Sequence, residues 1–519
     1  MVQRSAEGHG DAHETRPLLS PSAGQTGIHE AQIAAAEDSP THRSRCTWPW
    51  THVIGLVLSI AIISDFSESM FTAPRVRLYE SVICAEYYSQ ADPSLVGPGG
   101  SVPERLCKVV PVQEELATIL GWQSFVDSIP AILLPIPFGY LADKYGRKWI
   151  MTLGLVGFTL AYAWIEFVVA LGLPLHYVLL SSLFYLSGGG PTTATTLLTA
   201  VVVDVVPPKL RATVFLYRFC PTLIADLLVP PIVAALMAKD VWIPLLLSVG
   251  ISVFATLLAI LFVPETLPIA TLEEDVPETD SSSAQEPGGI MTKKQKFTEK
   301  CGHWIRGHIS AFSFVTRHAS IWSLVFTFLI SKIGRQSSNV IFQYVSKRYD
   351  WSLAQAGLLM SVQAAVNLAL YMAILPAVAT FVLSRYAATA KDLLLAKGSI
   401  VLSVLGAVVL ALSATPAVMI IGVVLFTFGS GFSPTIRSLV TSLVEMLDED
   451  GSSSDIGRLY ALISAMEGIG SLIAAPGMAW ALRYGMSLGE EWLGLPFGLA
   501  AALLGLVLII VFSIRIPGA

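Results

Sequence analysis

Long apolar segments, separated by shorter polar ones, follow one another along the chain from about residue 50 onward. A helix that crosses a bilayer needs about 20 consecutive, mostly apolar residues. We predict spanning helices at 52–73, 114–138, 149–171, 177–204, 212–238, 242–263, 319–345, 354–379, 394–413, 416–446, 458–482 and 492–514. The pattern therefore predicts an all-α membrane protein with twelve transmembrane helices.

The composition agrees with a chain that is surrounded largely by lipid. Hydrophobic residues make up 54% of the 519 positions and charged residues only 13%, whereas a soluble globular protein carries about 25% charge. The lipid bilayer is thus the expected surrounding, and no block of basic residues indicates a nucleic-acid partner. The sequence shows no nucleophile accompanied by a base and an orienting group, so it does not indicate an enzyme. It also shows no set of ligands for a metal or a cofactor.

Polar stretches divide the chain into four parts. We predict that residues 1–50 form a disordered tail. We also predict that residues 265–318 form a flexible linker between two six-helix halves, 51–264 and 319–519. Lysine and arginine are concentrated in loops that lie on one side of the membrane in this arrangement. Both termini and the linker are therefore predicted to be cytoplasmic.

Ionisable side chains inside the predicted spans are the candidate functional residues. Each costs roughly 2.5–3.5 kcal/mol at membrane depth on insertion scales, so it needs a wet cavity or a partner. They recur on single helical faces, and the spans at 242–263, 394–413 and 492–514 are nearly bare of them. The candidates for a substrate or proton cavity are Asp65, Glu68, Arg218, Asp226, Lys332, Arg335, Asn339, Arg437 and Glu467.

The roles of these candidates remain open in two places. Asp65 and Glu68 share one helical face, and two carboxylates so close repel each other, which favours reversible proton binding. A structural ion pair with Arg218 is the alternative. Lys332 and Arg335 either contact the substrate or serve as internal counter-ions to Glu467.

Two of the five cysteines, Cys84 and Cys107, fall in the predicted first external loop. They either form a disulfide there or remain two free thiols. The spacing of the five cysteines gives no zinc or redox motif.

The decapeptide Gly139–Lys148 resembles the loop signature of the major facilitator superfamily, G-x-L-A-D-[RK]-x-G-R-[RK], at every defining position. The resemblance implies two pseudo-symmetric six-helix bundles that move solute by alternating access. It also implies a charge lock on the cytoplasmic side, built by Asp143 and Arg147, and we expect the glycines to allow a tight turn. The predicted gating residues are Gly139, Asp143, Gly146, Arg147 and Lys148.

Other segments refine this placement within the superfamily. Residues 343–352 resemble fungal facilitators, which are distant relatives of the proton-coupled folate and haem carriers and of the tetracycline antiporters. Pro264–Leu267 resembles the P-E-[ST] element that the family carries after its sixth helix. The fourth predicted span lacks the arginine, and the fifth lacks the glycine-rich signature, of proton-driven drug antiporters, which weakens that narrower assignment.

Together these features predict a monomeric, secondary active transporter of a small organic solute. Proton coupling and export of a metabolite, toxin or drug are the first expectation. A proton-coupled importer of an organic anion and a non-transporting membrane sensor are the alternatives. We expect the protein to lie in the plasma membrane. A vacuolar or endosomal membrane is the alternative, because Glu14–Leu19 resembles an acidic dileucine sorting signal.

Overall fold

A computed structural model describes residues 49–97, 100–206, 211–265, 319–447 and 453–514. Within these ranges the chain forms helices and turns without a β-strand. The α-helices are α1 (Trp50–Ala91), α2 (Val110–Leu133), α3 (Pro135–Tyr145), α4 (Arg147–Ala170), α5 (Gly190–Val205), α6 (Arg211–Met237), α7 (Trp242–Phe262), α8 (Ala319–Arg335), α9 (Ile341–Tyr349), α10 (Leu353–Ala369), α11 (Ala388–Leu412), α12 (Pro416–Phe428), α13 (Phe432–Leu447), α14 (Ser453–Leu488) and α15 (Leu495–Ser513).

The all-α membrane fold predicted from the hydrophobic pattern is confirmed. Nine helices among the described residues are long and apolar enough to cross a bilayer, and the apolar helices Leu175–Ser187 and Pro221–Met237 are shorter. The count of twelve spans stays a prediction. The predicted tail at 1–50 and linker at 265–318 lie outside the described residues, apart from positions 49, 50 and 265.

Helix α1 is longer than its predicted span. It contains 42 residues and is therefore about 63 Å long at 1.5 Å per residue, about twice the thickness of the hydrocarbon core. Arg75 and Arg77, which the hydropathy pattern places in the first external loop, lie inside this helix. The helix continues past Thr72 because its polar residues find partners there, such as Arg77 with Glu80 at 2.9 Å.

The predicted loop motif is mostly helical, which corrects the expected turn with two glycines. Gly139 lies inside α3, and Arg147 and Lys148 begin α4. Gly146 alone separates the two helices, with a φ of 107° that favours glycine. The tight turn therefore depends on Gly146 and not on Gly139.

Packing between the two halves of the sequence positions the cavities. Helix α14 packs against α2, and α10 packs against α6. Within the halves, α1 packs against α7 and α11 against α15. The 3₁₀ turns at Gln336–Val340 and Gly429–Gly431 interrupt the helical path between α8 and α9 and between α12 and α13.

Candidate functional site

A cavity of about 340 Å³ lies among the helices of the second half of the chain. The break after α8 helps to form it, because a helix interrupted within a bundle leaves polar backbone and side chains to line a cavity. Lys332, Arg335 and Gln336 come from one face at this break. The polar and charged lining includes Lys332, Arg335, Gln336, Gln363, Asn367 and Glu467.

Arg437 is the counter-ion of Glu467. Its Nη2 atom lies 2.9 Å from both carboxylate oxygens of Glu467, and its guanidinium carbon lies 5.8 Å from the centre of the Phe328 ring. Of the two roles considered for Lys332 and Arg335, that of counter-ion to Glu467 is therefore taken by Arg437.

The other two cations of this cavity have weak contacts. The Nη1 atom of Arg335 donates to the Ser403 hydroxyl at 3.5 Å, and its guanidinium carbon lies 5.5 Å from the Phe426 ring centre. Lys332 lines the cavity and forms no hydrogen bond or ion pair with the described residues. Neither cation has a carboxylate partner within the described ranges.

A second cavity, of about 280 Å³, lies between the two halves of the sequence. Gln336, Ser338 and Gln363 line both this central cavity and the first one, so the two adjoin. Asn339, predicted as a cavity residue, lies here, and α1 contributes Arg75. The two cavities therefore meet at these three shared polar residues.

Arg75 is a cavity residue that the sequence analysis missed, and Asp127 is its acidic neighbour. Arg75 is close enough to Asp127 for the two charges to interact, and the Ser182 hydroxyl donates to Asp127. A signal existed for Arg75, because it continues the stripe of Glu68 and Thr72 at helical spacing. It was lost because the hydropathy pattern ended the helix before it.

Acidic residues of the first half line a separate, smaller cavity. Asp65 and Glu68 face a space of about 90 Å³, and the Thr222 hydroxyl donates to Asp65 at 2.8 Å. Asp226, on α6, is close enough to Asp65 for their charges to repel. Arg218 also lies on α6, but its side chain falls outside the described part of the structure, so the suggested ion pair with Asp65 or Glu68 stays a prediction.

Glu265 joins the predicted gating motif to the end of the first half. A carboxylate oxygen of Glu265 accepts a hydrogen bond from the backbone N–H of Arg147 at 2.9 Å. The Asp143 carboxylate, which is 66% exposed, contacts the Arg147 guanidinium at 3.3 Å. Glu265 thus accepts the hydrogen bond from the first backbone N–H group of α4, whereas Asp143 contacts the side chain of Arg147.

Lys148 takes no part in these contacts. Its ammonium group lies 5.7 Å from the ring centre of the neighbouring Trp149. Among the five predicted gating residues, the structure therefore brings Asp143, Gly146 and Arg147 together around Glu265, and it places Gly139 and Lys148 beside them on α3 and α4.

Comparison with known proteins decides the family. The sequence pattern described as Major Facilitator Superfamily matches residues 109–448. The chain belongs to the major facilitator superfamily. It is 34% identical to the "MFS efflux pump atnC" of Emericella nidulans over 90% of this chain and 88% of that one. It is 30% identical to the "Efflux pump ustT" of Aspergillus flavus over 84% of this chain and 83% of that one.

A solved structure of the same fold supports the architecture of this facilitator. The crystal structure of nucleoside transporter NupG matches 89% of this chain and 100% of that one, with a TM-score of 0.55 and 12% identity. At this identity the likeness concerns the fold alone. The predicted resemblance to the superfamily is confirmed.

The halves of this facilitator meet at the end of the bundle where Cys84 and Cys107 are joined by a disulfide, with sulfur atoms 2.11 Å apart. At this disulfide end a Glu104 carboxylate oxygen accepts from the backbone N–H of Leu353 at 2.7 Å. The Lys347 ammonium also donates to the backbone carbonyl of Lys108. These contacts join the two halves at the disulfide end.

Proposed function

We propose that this facilitator exports a small organic solute by alternating access and that a proton gradient drives the export. The observation that carries the proposal is a pair of adjoining cavities, one within the second half and one between the two halves of the sequence, together with an acidic cluster in the first half. Cavities of this kind suit a solute site near the middle of the membrane that opens to one side at a time.

Export rests on the relatives. Two fungal proteins that are 34% and 30% identical to this chain bear the name efflux pump. Their coverage of most of this chain supports a shared transport direction. Because an exporter that clears the cell acts at the cell surface, we propose that the protein lies in the plasma membrane. We also propose that it acts as a monomer.

Proton coupling rests on the acidic groups of the first half. Asp65 accepts from Thr222 and lies near Asp226. Two carboxylates in a membrane cavity cannot both hold a charge without cost, so one of them binds a proton readily. In the second half, the acid that lines the cavity among the described residues is Glu467, which is paired with Arg437. We therefore assign the transported proton to Asp65, with Glu68 and Asp226 beside it.

The test uses purified protein in liposomes that contain a pH-sensitive dye. With a proton gradient imposed, amphipathic and anionic metabolites are screened for movement of protons triggered by solute. We expect such movement in the natural protein, its loss in Asp65→Asn, and its retention in the matched control Asp240→Asn, which changes an exposed acid.

Each other outcome contradicts a defined part of the proposal. Solute flux without a proton signal would leave a uniporter. Solute flux in the direction opposite to the proposed export would favour the proton-coupled importer. Binding without any flux in liposomes, together with correct membrane insertion, would favour a sensor.

A further inference from the structure

We propose that the second-half cavity binds the anionic group of the solute, a carboxylate, between Lys332 and Arg335. The inference rests on the proposed transport function and names the chemical class of its solute. It starts from the balance of charge around the cavity of about 340 Å³.

The charges that line this cavity do not cancel. Glu467 is the acid among the described lining residues, and both of its oxygens lie 2.9 Å from Arg437. That pair neutralises itself. Lys332 and Arg335 therefore remain as two positive charges without an acidic partner in the described part of the protein.

The contacts of these two cations leave room for a ligand. Arg335 has one long hydrogen bond to a neutral hydroxyl and one aromatic neighbour, and Lys332 has no hydrogen bond within the described residues. Cations at membrane depth are costly when nothing compensates their charge. A bound anion would compensate both, because an arginine and a lysine on one helical face can grip the two oxygens of a carboxylate.

The neutral lining of the cavity also suits an anion with an apolar body. The side-chain oxygen of Asn367 accepts a hydrogen bond from the Ser430 hydroxyl at 2.7 Å, which leaves the amide NH₂ group of Asn367 to donate. Phe328 and Phe426 line the same cavity and offer aromatic surface. An aromatic or otherwise amphipathic carboxylate satisfies all of these groups together.

The experiment compares two probes of nearly equal shape, naphthoate and its uncharged amide naphthamide. Binding to the purified full-length protein is measured by calorimetry and by the shift in thermal unfolding. We expect naphthoate to bind at least about tenfold more tightly than naphthamide, as for a charge-assisted contact. Equal binding of the two probes, or no binding of either, would overturn the proposal.

Substitutions locate the preference. Lys332→Gln and Arg335→Gln should each weaken naphthoate binding by about tenfold and leave naphthamide unchanged. Lys332→Arg should keep the preference, and the control Lys239→Gln, at an exposed lysine, should change nothing. Undiminished naphthoate binding in both Lys332→Gln and Arg335→Gln would show that the anion binds elsewhere.

A gain of binding makes the test independent of folding defects. Glu467→Gln removes the charge that occupies Arg437, so a third cation becomes available and naphthoate should bind several-fold more tightly. Weaker binding in this variant would contradict the charge argument. The liposome assay separates the two proposals: charge-selective binding without flux refutes transport alone, and proton-coupled flux of uncharged solutes without naphthoate binding refutes the anion site alone.

Discussion

Glu104 binds the start of a helix in the opposite half of the chain, where its carboxylate accepts a hydrogen bond from the backbone N–H of Leu353 at 2.7 Å. The same oxygen lies 3.2 Å from the Lys108 ammonium. Leu353 is the first residue of α10, whose preceding Ser352 forms a capping box with Gln355. Because a negative charge at a helix N-terminus is stabilising, Glu104 holds the two halves together at the disulfide end.

Removing the charge of Glu104 should therefore favour opening at the disulfide end. Glu104→Gln should reduce the free energy that favours the closed state at this end by about 1 kcal/mol, which lowers the ratio of closed to open protein about fivefold. The measurement is the rate at which a membrane-impermeant maleimide labels Ser124→Cys, in the central cavity, after Cys46, Cys220 and Cys301 are replaced by serine.

The matched control for this experiment is Glu86→Gln, which changes an exposed acid near the same end of α1. Labelling in Glu104→Gln should be faster than in this control and in the parent. Equal labelling rates in all three proteins would mean that the contact with Leu353 does not hold the halves together.

Glu80 should contribute strongly to stability, because its carboxylate is fully buried and fully paired. Arg77 and Lys108 lie 2.9 and 2.7 Å from it, and Gln113 donates to it at 2.6 Å. Replacing one partner of a buried ion pair costs about 3–5 kcal/mol, since the remaining charges lose their compensation. Glu80→Ala should thus lower the thermal unfolding midpoint by several degrees.

The control for Glu80→Ala is Glu86→Ala, which removes an exposed carboxylate from the same helix. We expect little change in its unfolding midpoint. A decrease in Glu80→Ala no larger than in this control would show that the buried cluster is not a source of stability.

Hydrophobic patterning and the loop motif were sufficient to predict the fold class and the family. Helical periodicity also singled out Lys332, Arg335 and Asn339 as candidates, and all three line cavities between helices. These features are local, so they can be recognised within one segment of sequence. The breaks at Gln336–Val340 and Gly429–Gly431 could not be placed in this way.

The pairings between distant segments could not be predicted. Glu265 binds the N–H of Arg147 across 118 positions of sequence, and the partner of Glu467 became clear only when Arg437 was placed beside it. Arg75 was missed for a different reason. A hydropathy window ends where polar residues begin, although a helix whose polar residues are paired can continue.

Gly146 should be far more sensitive to substitution than Gly139, although both are defining positions of the motif pattern. Gly146 has a φ of 107°, and a Cβ atom there would collide with the Glu265 carboxylate. Gly146→Ala should therefore cost about 1–3 kcal/mol from the backbone alone and should displace Glu265 from the N–H of Arg147. Transport rate and the unfolding midpoint should both decrease.

Gly139→Ala is the matched control for that substitution. Gly139 lies inside α3, and an added Cβ would meet no atom within 4 Å. Alanine is favoured over glycine in a helix interior by about 1 kcal/mol, so this variant should be as stable as the parent or slightly more stable. Equal damage from both substitutions would contradict the assignment of the turn to Gly146.

The pair formed by Arg437 and Glu467 should behave as a unit. Its charges are partly exposed, 37% for the arginine and 29% for the glutamate, and Glu467 also lines the second-half cavity. Arg437→Glu places two acids together, and Glu467→Arg places two cations together. Each single variant should therefore reduce the transport rate strongly, since like charges at this distance repel.

The double variant that exchanges the two residues restores an attractive pair and should recover a large part of the rate, measured as solute flux in liposomes with equal amounts of inserted protein. If the double variant is as impaired as the sum of the two single variants, the pair is not coupled, and each residue acts separately on the solute.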